Sequence, residues 1–187
     1  VIPIGVVPEK LSKRQSAFCE VRLVDSEDNE VPIGVPGEVA VRGPTVFSGY
    51  WKAEKTNTED FRNGWFHLGD VMRRNEDGSL DYVDRVKYMI KSGGENIYPA
   101  EIEQVILVDP RISEVVVVRK KDPKWSEVPV AFVVSTDPDL KVADILERCK
   151  KDLSSYKQPK DIIFIEDADL PRSTTGKVQR HELEARL

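Results

Sequence analysis

The chain has 187 residues, 40% hydrophobic and 33% charged, with 28 lysines and arginines against 33 acidic residues and a formal net charge of −5. That balance fits a soluble globular chain and excludes a disordered or membrane-embedded one, and the size suits one ordinary domain, or a small domain joined to a piece of another. The absence of a basic excess argues against a general nucleic-acid binder. No apolar run approaches the roughly 20 residues needed to cross a bilayer.

The opening residues carry no signal-peptide pattern, and residues 1–18 show no clear period. Because the first residue is Val1 rather than Met, the expectation is a chain that begins inside a longer protein. Residues 20–51 read as β-structure: Val21 and Leu23 alternate with polar neighbours, a turn follows at Asp25–Asn29, and Glu38–Arg42 alternates again. Asp77-Gly78 is a hairpin-type turn between a segment near Asp70–Arg73 and the strand Leu80–Val83. After Arg85 the style changes. Pro99 can open a helix that places Ile102, Val105 and Ile106 on one face. Ser113–Lys121 and Val128–Ser135 are valine-rich and read as buried strands. Val142, Ile145, Leu146, Cys149 and Leu153 recur at helical spacing, Ile162–Ile165 is a further strand, and the residues from Val178 onward read as helical. Cys19 and Cys149 lie far apart without metal-like spacing, so both are expected to be reduced packing residues of a cytoplasmic protein. The pattern predicts an α+β chain with a boundary near Asp84–Lys87.

Four segments stand out chemically. Gly37-Glu38-Val39-Ala40-Val41-Arg42-Gly43-Pro44, continuing to Gly49-Tyr50-Trp51, can be explained by turns alone. In Gly64-Trp65-Phe66-His67-Leu68-Gly69-Asp70 the carboxylate, an acceptor-only bidentate group, suits vicinal hydroxyls of a ribose, although a turn-capping Asp fits as well. His67 reads as a turn residue, with no second histidine nearby to form a metal set. Asp84-Arg85-Val86-Lys87 leads through Lys91-Ser92-Gly93-Gly94 and Tyr98-Pro99 to Glu101-Ile102-Glu103, and the paired glycines permit close ligand approach. Pro171-Arg172-Ser173-Thr174-Thr175-Gly176-Lys177 echoes a phosphate-binding P-loop but lacks its leading glycine and its trailing hydroxyl residue. It suits a mobile loop that delivers one ammonium to a ligand.

In order and spacing, the four segments together resemble the adenylate-forming superfamily: acyl-CoA synthetases, the adenylation domains of peptide synthetases, and firefly luciferase. The resemblance runs from about Val21 to the end, and Ser92–Pro99 is most similar to bacterial medium- and long-chain fatty acyl-CoA synthetases. One departure is Leu68, where the family carries Thr or Ser.

The resemblance implies a strand-rich, β-barrel-like end of a large N-terminal domain over residues 1–86. A mobile C-terminal α+β domain, a short antiparallel sheet flanked by helices, would follow over 87–187. It implies Asp70 on the ribose of ATP and acyl-AMP, Arg85 at ribose or phosphate, and Lys87 as the hinge between two half-reactions. Lys177 would reach the carboxylate and α-phosphate during adenylation. After rotation the face of Lys91 and Gly94 would replace it, with Gly94 beside the pantetheine channel. The implied ligands are ATP or AMP, CoA, a small-molecule carboxylate, and Mg2+ held mostly by the absent N-terminal part. That part carries the family's phosphate loop, so the chain alone is expected to be inactive. Transfer to a carrier protein instead of CoA, and a non-catalytic binding module, are the competing readings. An exposed Lys177 is also expected to be open to acetylation, which deletes its charge.

Overall fold

The computed structural model describes residues 12–187; residues 1–11, most of the stretch read as aperiodic, lie outside the described residues. The chain divides into two compact units, one ending at Lys87 and the other beginning at Tyr88.

The first unit is built on β1 (Glu20–Val24), β2 (Pro36–Arg42), β3 (Phe61–Arg62), β4 (Trp65–Arg74) and β5 (Leu80–Arg85). They form an antiparallel sheet in the order β1-β2-β4-β3, with β5 also on β4. The alternation read from the sequence sets the register. Val21 faces Val41 and Leu23 faces Val39, and Leu23 and Val39 reach a small core with Met72 and Leu80. Both turns are closed by aspartates. Asp25 Oδ1 accepts the N–H groups of Glu27 (2.8 Å) and Asn29 (3.0 Å), and Asp77 Oδ1 accepts that of Ser79 (3.0 Å).

One helix of this unit, α1 (Glu54–Asp60), has no buried residue and so no apolar stripe by which to predict it. Its Asn57 fastens the preceding loop: Oδ1 accepts Tyr50 N–H at 2.7 Å and Nδ2 donates to Tyr50 O at 2.9 Å. Tyr50, Phe47, Phe61 and Phe66 then pack as an aromatic cluster with centroids 4.7–6.4 Å apart.

The second unit contains β6 (Ile90–Ser92), β7 (Glu95–Ile97), α2 (Pro99–Leu107), β8 (Ile112–Asp122), β9 (Ser126–Ser135), α3 (Val142–Asp152), β10 (Asp161–Phe164) and α4 (Arg180–Glu184). Its sheet runs β10-β9-β6-β7, with β8 paired to β9. All pairings are antiparallel except β10 with β9, which is parallel because α3 carries the chain back to the start of the sheet. The valine run of β8 is apolar at every position because both faces are covered. Val115 and Val117 join Ile102, Ile106, Ile145 and Cys149 under α2 and α3, whereas Val116 and Val118 join Phe132, Leu170 and Leu183 on the other side.

Cys149 is fully buried, and burial pushes its thiol up to about 11. A thiol titration of native protein at pH 8 should label the half-exposed Cys19 rapidly and Cys149 only on addition of denaturant.

Candidate active site

The sequence-predicted residues fall in both units. In the first, Asp70 sits in β4 and Arg85 at the end of β5, directly opposite each other. Asp70 Oδ1 accepts a hydrogen bond from Arg85 Nη1, so the carboxylate is held by a guanidinium on the neighbouring strand. Asp70 is displayed on a bulge. Ala40 pairs with His67 and Glu38 with Val71, so Leu68, Gly69 and Asp70 together oppose Val39. Gly69 takes φ +69°, which explains the glycine directly before the carboxylate.

His67 is a correction to the expectation of a turn residue. It lies in the body of β4, 4% exposed. Its Nδ1 is 3.2 Å from Glu38 Oε2 and its Nε2 is 3.8 Å from Asp28 Oδ1, while Arg62 Nη2 reaches both carboxylates at 2.9 and 3.3 Å. Trp65-Phe66-His67 is thus the start of a strand, bonded to β2 and β3, and the tight turn is the preceding Asn63-Gly64, where both residues have positive φ.

In the second unit, Lys91 and Gly94 lie on the β6–β7 hairpin, where Ser92 pairs with Glu95 and Gly93 and Gly94 make the turn at φ +58° and +92°. The Lys91 side chain is exposed, and its backbone N–H donates to Glu127 Oε2 at 2.9 Å. The turn is pressed against Trp125, whose carbonyl accepts the Gly93 N–H at 2.9 Å. Trp125 is itself fixed by Asp122, whose Oδ1 accepts the N–H groups of Trp125 and Lys124 at 2.8 Å each, holding that carboxyl below its ordinary value. A β-carbon on Gly93 would come 2.7 Å from Trp125 Cε3, whereas one on Gly94 meets nothing within 4 Å. Gly94→Ala should therefore cost about 1–2 kcal/mol of backbone strain alone. Gly93→Ala should cost visibly more and shift the Trp125 fluorescence, a comparison read by chemical denaturation.

Lys177 stands exposed at the end of a closed hairpin turn rather than in an open loop. Arg172 bridges Val178, Ser173 N–H donates to Lys177 O and Gly176 N–H to Ser173 O at 2.8 Å each, and Gln179 N–H donates to Pro171 O at 2.7 Å. Gly176 at φ +80° permits the reversal. No hydrogen bond or ion pair joins Lys177 to Lys91 or Gly94 among the described residues; the ammonium and the hairpin are carried on separate elements. Lys87 is exposed in the 3₁₀ turn Val86–Tyr88, at the point where the chain passes from one unit to the other. Among the described residues no group of three or more His, Cys, Asp and Glu could hold a metal ion, and no helix is long and apolar enough to cross a membrane.

The chain as a whole is similar to known proteins. The AMP-binding enzyme family matches residues 9–51 and the AMP-binding enzyme C-terminal domain matches residues 101–177. A long-chain-fatty-acid–CoA ligase of Escherichia coli O6:H1 is 43% identical over 164 residues, covering 88% of this chain and 29% of the relative. A peroxisomal trans-cinnamate:CoA ligase of Petunia hybrida is 42% identical over 190 residues, covering 93% of this chain and 33% of the relative. Among solved structures, o-succinylbenzoate CoA synthetase from Bacillus subtilis in complex with its acyl-adenylate intermediate superimposes with a TM-score of 0.80 at 34% identity, covering 90% of this chain and 34% of that one. The chain belongs to the adenylate-forming, AMP-binding enzymes. It spans about a third of the length of the curated relatives it matches.

Proposed function

We propose that the chain serves an ATP-dependent carboxylate–CoA ligase that makes an acyl-adenylate and then an acyl-CoA, with its two units in different roles. The observation that carries this reading is the division of the chain at Lys87. It puts the carboxylate suited to a ribose, Asp70, on one unit and the ammonium suited to the reacting groups, Lys177, on the other. The CoA ligases among the relatives, one of them acting on a long-chain fatty acid and one on trans-cinnamate, support the reaction class.

The chemistry of each group follows from its setting. Asp70, held by Arg85, offers acceptor oxygens to vicinal hydroxyls, while Arg85 adds positive charge near ribose or phosphate. Adenylation brings a carboxylate against the α-phosphate, two anions whose transition state spreads charge over oxygens, and the Lys177 ammonium answers that charge. The CoA step needs a clear approach for the thiol. Rotation about Lys87 would withdraw Lys177 and bring in the β6–β7 hairpin, where Gly94 presents no side chain beside the pantetheine and Lys91 supplies a cation. A hinge of this kind needs only a few torsions to change. Magnesium would accompany the ATP phosphates and neutralise part of their charge, with its ligands mostly on the preceding part of the protein; among the described residues no group of three or more His, Cys, Asp and Glu could hold it.

The test joins this chain behind the preceding part of a long-chain fatty acyl ligase. The chimera should release pyrophosphate with ATP and a carboxylate and should consume free CoA. The 187-residue chain alone should do neither at a useful rate. A chimera that folds, forms acyl-adenylate and yet ignores CoA would point instead to a carrier-protein acceptor.

A further inference from the structure

The turn that carries Lys177 is short, polar and exposed, and a two-stranded hairpin of this size is only marginally stable by itself. Its position must be fixed from outside. Two arginines do this, one at each foot, and neither is among the groups proposed to meet ATP, the carboxylate or CoA.

At the leading foot, Arg172 Nη2 bonds to Glu114 of β8 and, at 3.0 Å, to Asp167, while its Nη1 donates to Gly176 O at 3.2 Å. Glu114 first and Asp167 second raise the Arg172 pKa above its ordinary value. One guanidinium therefore grips both the sheet and the interior of the turn. At the trailing foot, Arg180 is more deeply set: its side chain is 17% exposed and that of Glu103 14%. Arg180 Nη1 and Nη2 reach the two oxygens of Glu103 on α2 at 2.6 and 3.1 Å, and Nη1 also donates to Val117 O on β8. Glu103 Oε1 in turn accepts the Val117 N–H at 2.7 Å, and the guanidinium lies 4.8 Å from the ring centroid of Tyr88. Tyr88 is the first residue of the second unit, directly after Lys87.

Exposed ion pairs contribute little to stability, and the energy of the Arg172 contacts alone would not explain such elaborate bonding. Geometry does. A bidentate fork fixes direction as well as distance. The fixed points at the two feet include β8 at Glu114 and at Val117, Asp167 ahead of the turn, α2 at Glu103, and Tyr88 beside the hinge.

We propose that Arg172 and Arg180 are positioning residues that aim the Lys177 hairpin, and that they matter for the adenylation half-reaction and not for acyl transfer to CoA. The kinetic half of this proposal rests on the adenylation role of Lys177; the orientation of the hairpin is independent of it and can be read without substrate.

The variants are Arg180→Lys, Glu103→Gln and Arg172→Lys, each keeping charge or shape while losing the fork. On the 187-residue chain, hydrogen exchange of the Ser173, Gly176 and Gln179 amides should accelerate about tenfold or more while the β8 and β9 amides other than Val117, whose N–H donates to Glu103, keep their protection. In the chimera, pyrophosphate release should fall about tenfold or more, and transfer from supplied acyl-adenylate to CoA should stay within about twofold. Unchanged exchange at the three turn amides would overturn the proposal. So would half-reactions that fall together, or an adenylation rate that does not move. Should Arg180→Lys fail to fold, Arg172→Lys, whose partners lie nearer the surface, tests the same point by the same readouts. A chimera inactive from the start while the exchange pattern changes as expected would count against the ligase reading and leave the clamp standing.

Discussion

Lys177→Ala in the chimera is expected to reduce pyrophosphate release by about 10²–10³, the usual loss when one preorganised donor is removed from a developing charge. The same variant should still pass an acyl group from supplied acyl-adenylate to CoA at a rate within a few-fold of the parent, because the second step is assigned to the β6–β7 hairpin. Lys177→Arg should recover little, since a planar fork differs from a compact ammonium in both reach and hydration. Lys177→Gln, which mimics the loss of charge on acetylation, should resemble alanine. Stability should hardly change in any of the three, as the side chain is exposed and buries no apolar surface. Equal loss of both half-reactions would contradict the assignment, and measuring the two separately is what makes the experiment decisive.

The largest effect on folding is expected at Ile106. It is fully buried on α2 among Ile102, Val115, Val117 and Cys149, where removing the side chain leaves a void that closely packed neighbours cannot fill. Ile106→Ala should cost about 2–5 kcal/mol, seen as a lower denaturation midpoint with an unchanged slope. Leu107 next to it is exposed; Leu107→Ala should stay within about 0.5 kcal/mol. The contrast tests the helical phase of α2 directly.

What the sequence reveals about this chain depends on how local the responsible physics is. Strands β1, β2, β8 and β9 and helices α2 and α3 are legible because apolar residues repeat with the period of the element they build. Helix α1 is not, since Glu54–Asp60 packs no apolar face and is held in place partly by the Asn57 side chain. The β6–β7 hairpin hides behind Gly93-Gly94, which reads equally well as a loop until Trp125, more than 30 positions away, is seen pressed against it. His67 is misplaced for the same kind of reason: its partners Asp28 and Glu38 come from elsewhere in the chain, and only the fold assembles them. The candidate site residues are proposed from the order of four motifs, whereas Arg172 and Arg180 beside Lys177 look like solvated charges in sequence. Their partners Glu103, Glu114 and Val117 become visible only once α2 and β8 are in place.

Strand β9 carries a consequence for anyone shortening this chain. Seven consecutive residues, Val128–Val134, are buried in it, and its backbone is shared among β8, β6 and β10. A cut after α3 would remove β10, α4 and their half of the cover, and would leave the uncharged edge Val130–Val133 of β9 unpaired. Such an edge recruits the nearest similar strand, which in a concentrated solution is the same strand of another molecule. The last 27 residues, from Asp161 onward, thus do more than carry the lysine: they keep the middle of the sheet from becoming a seed for aggregation.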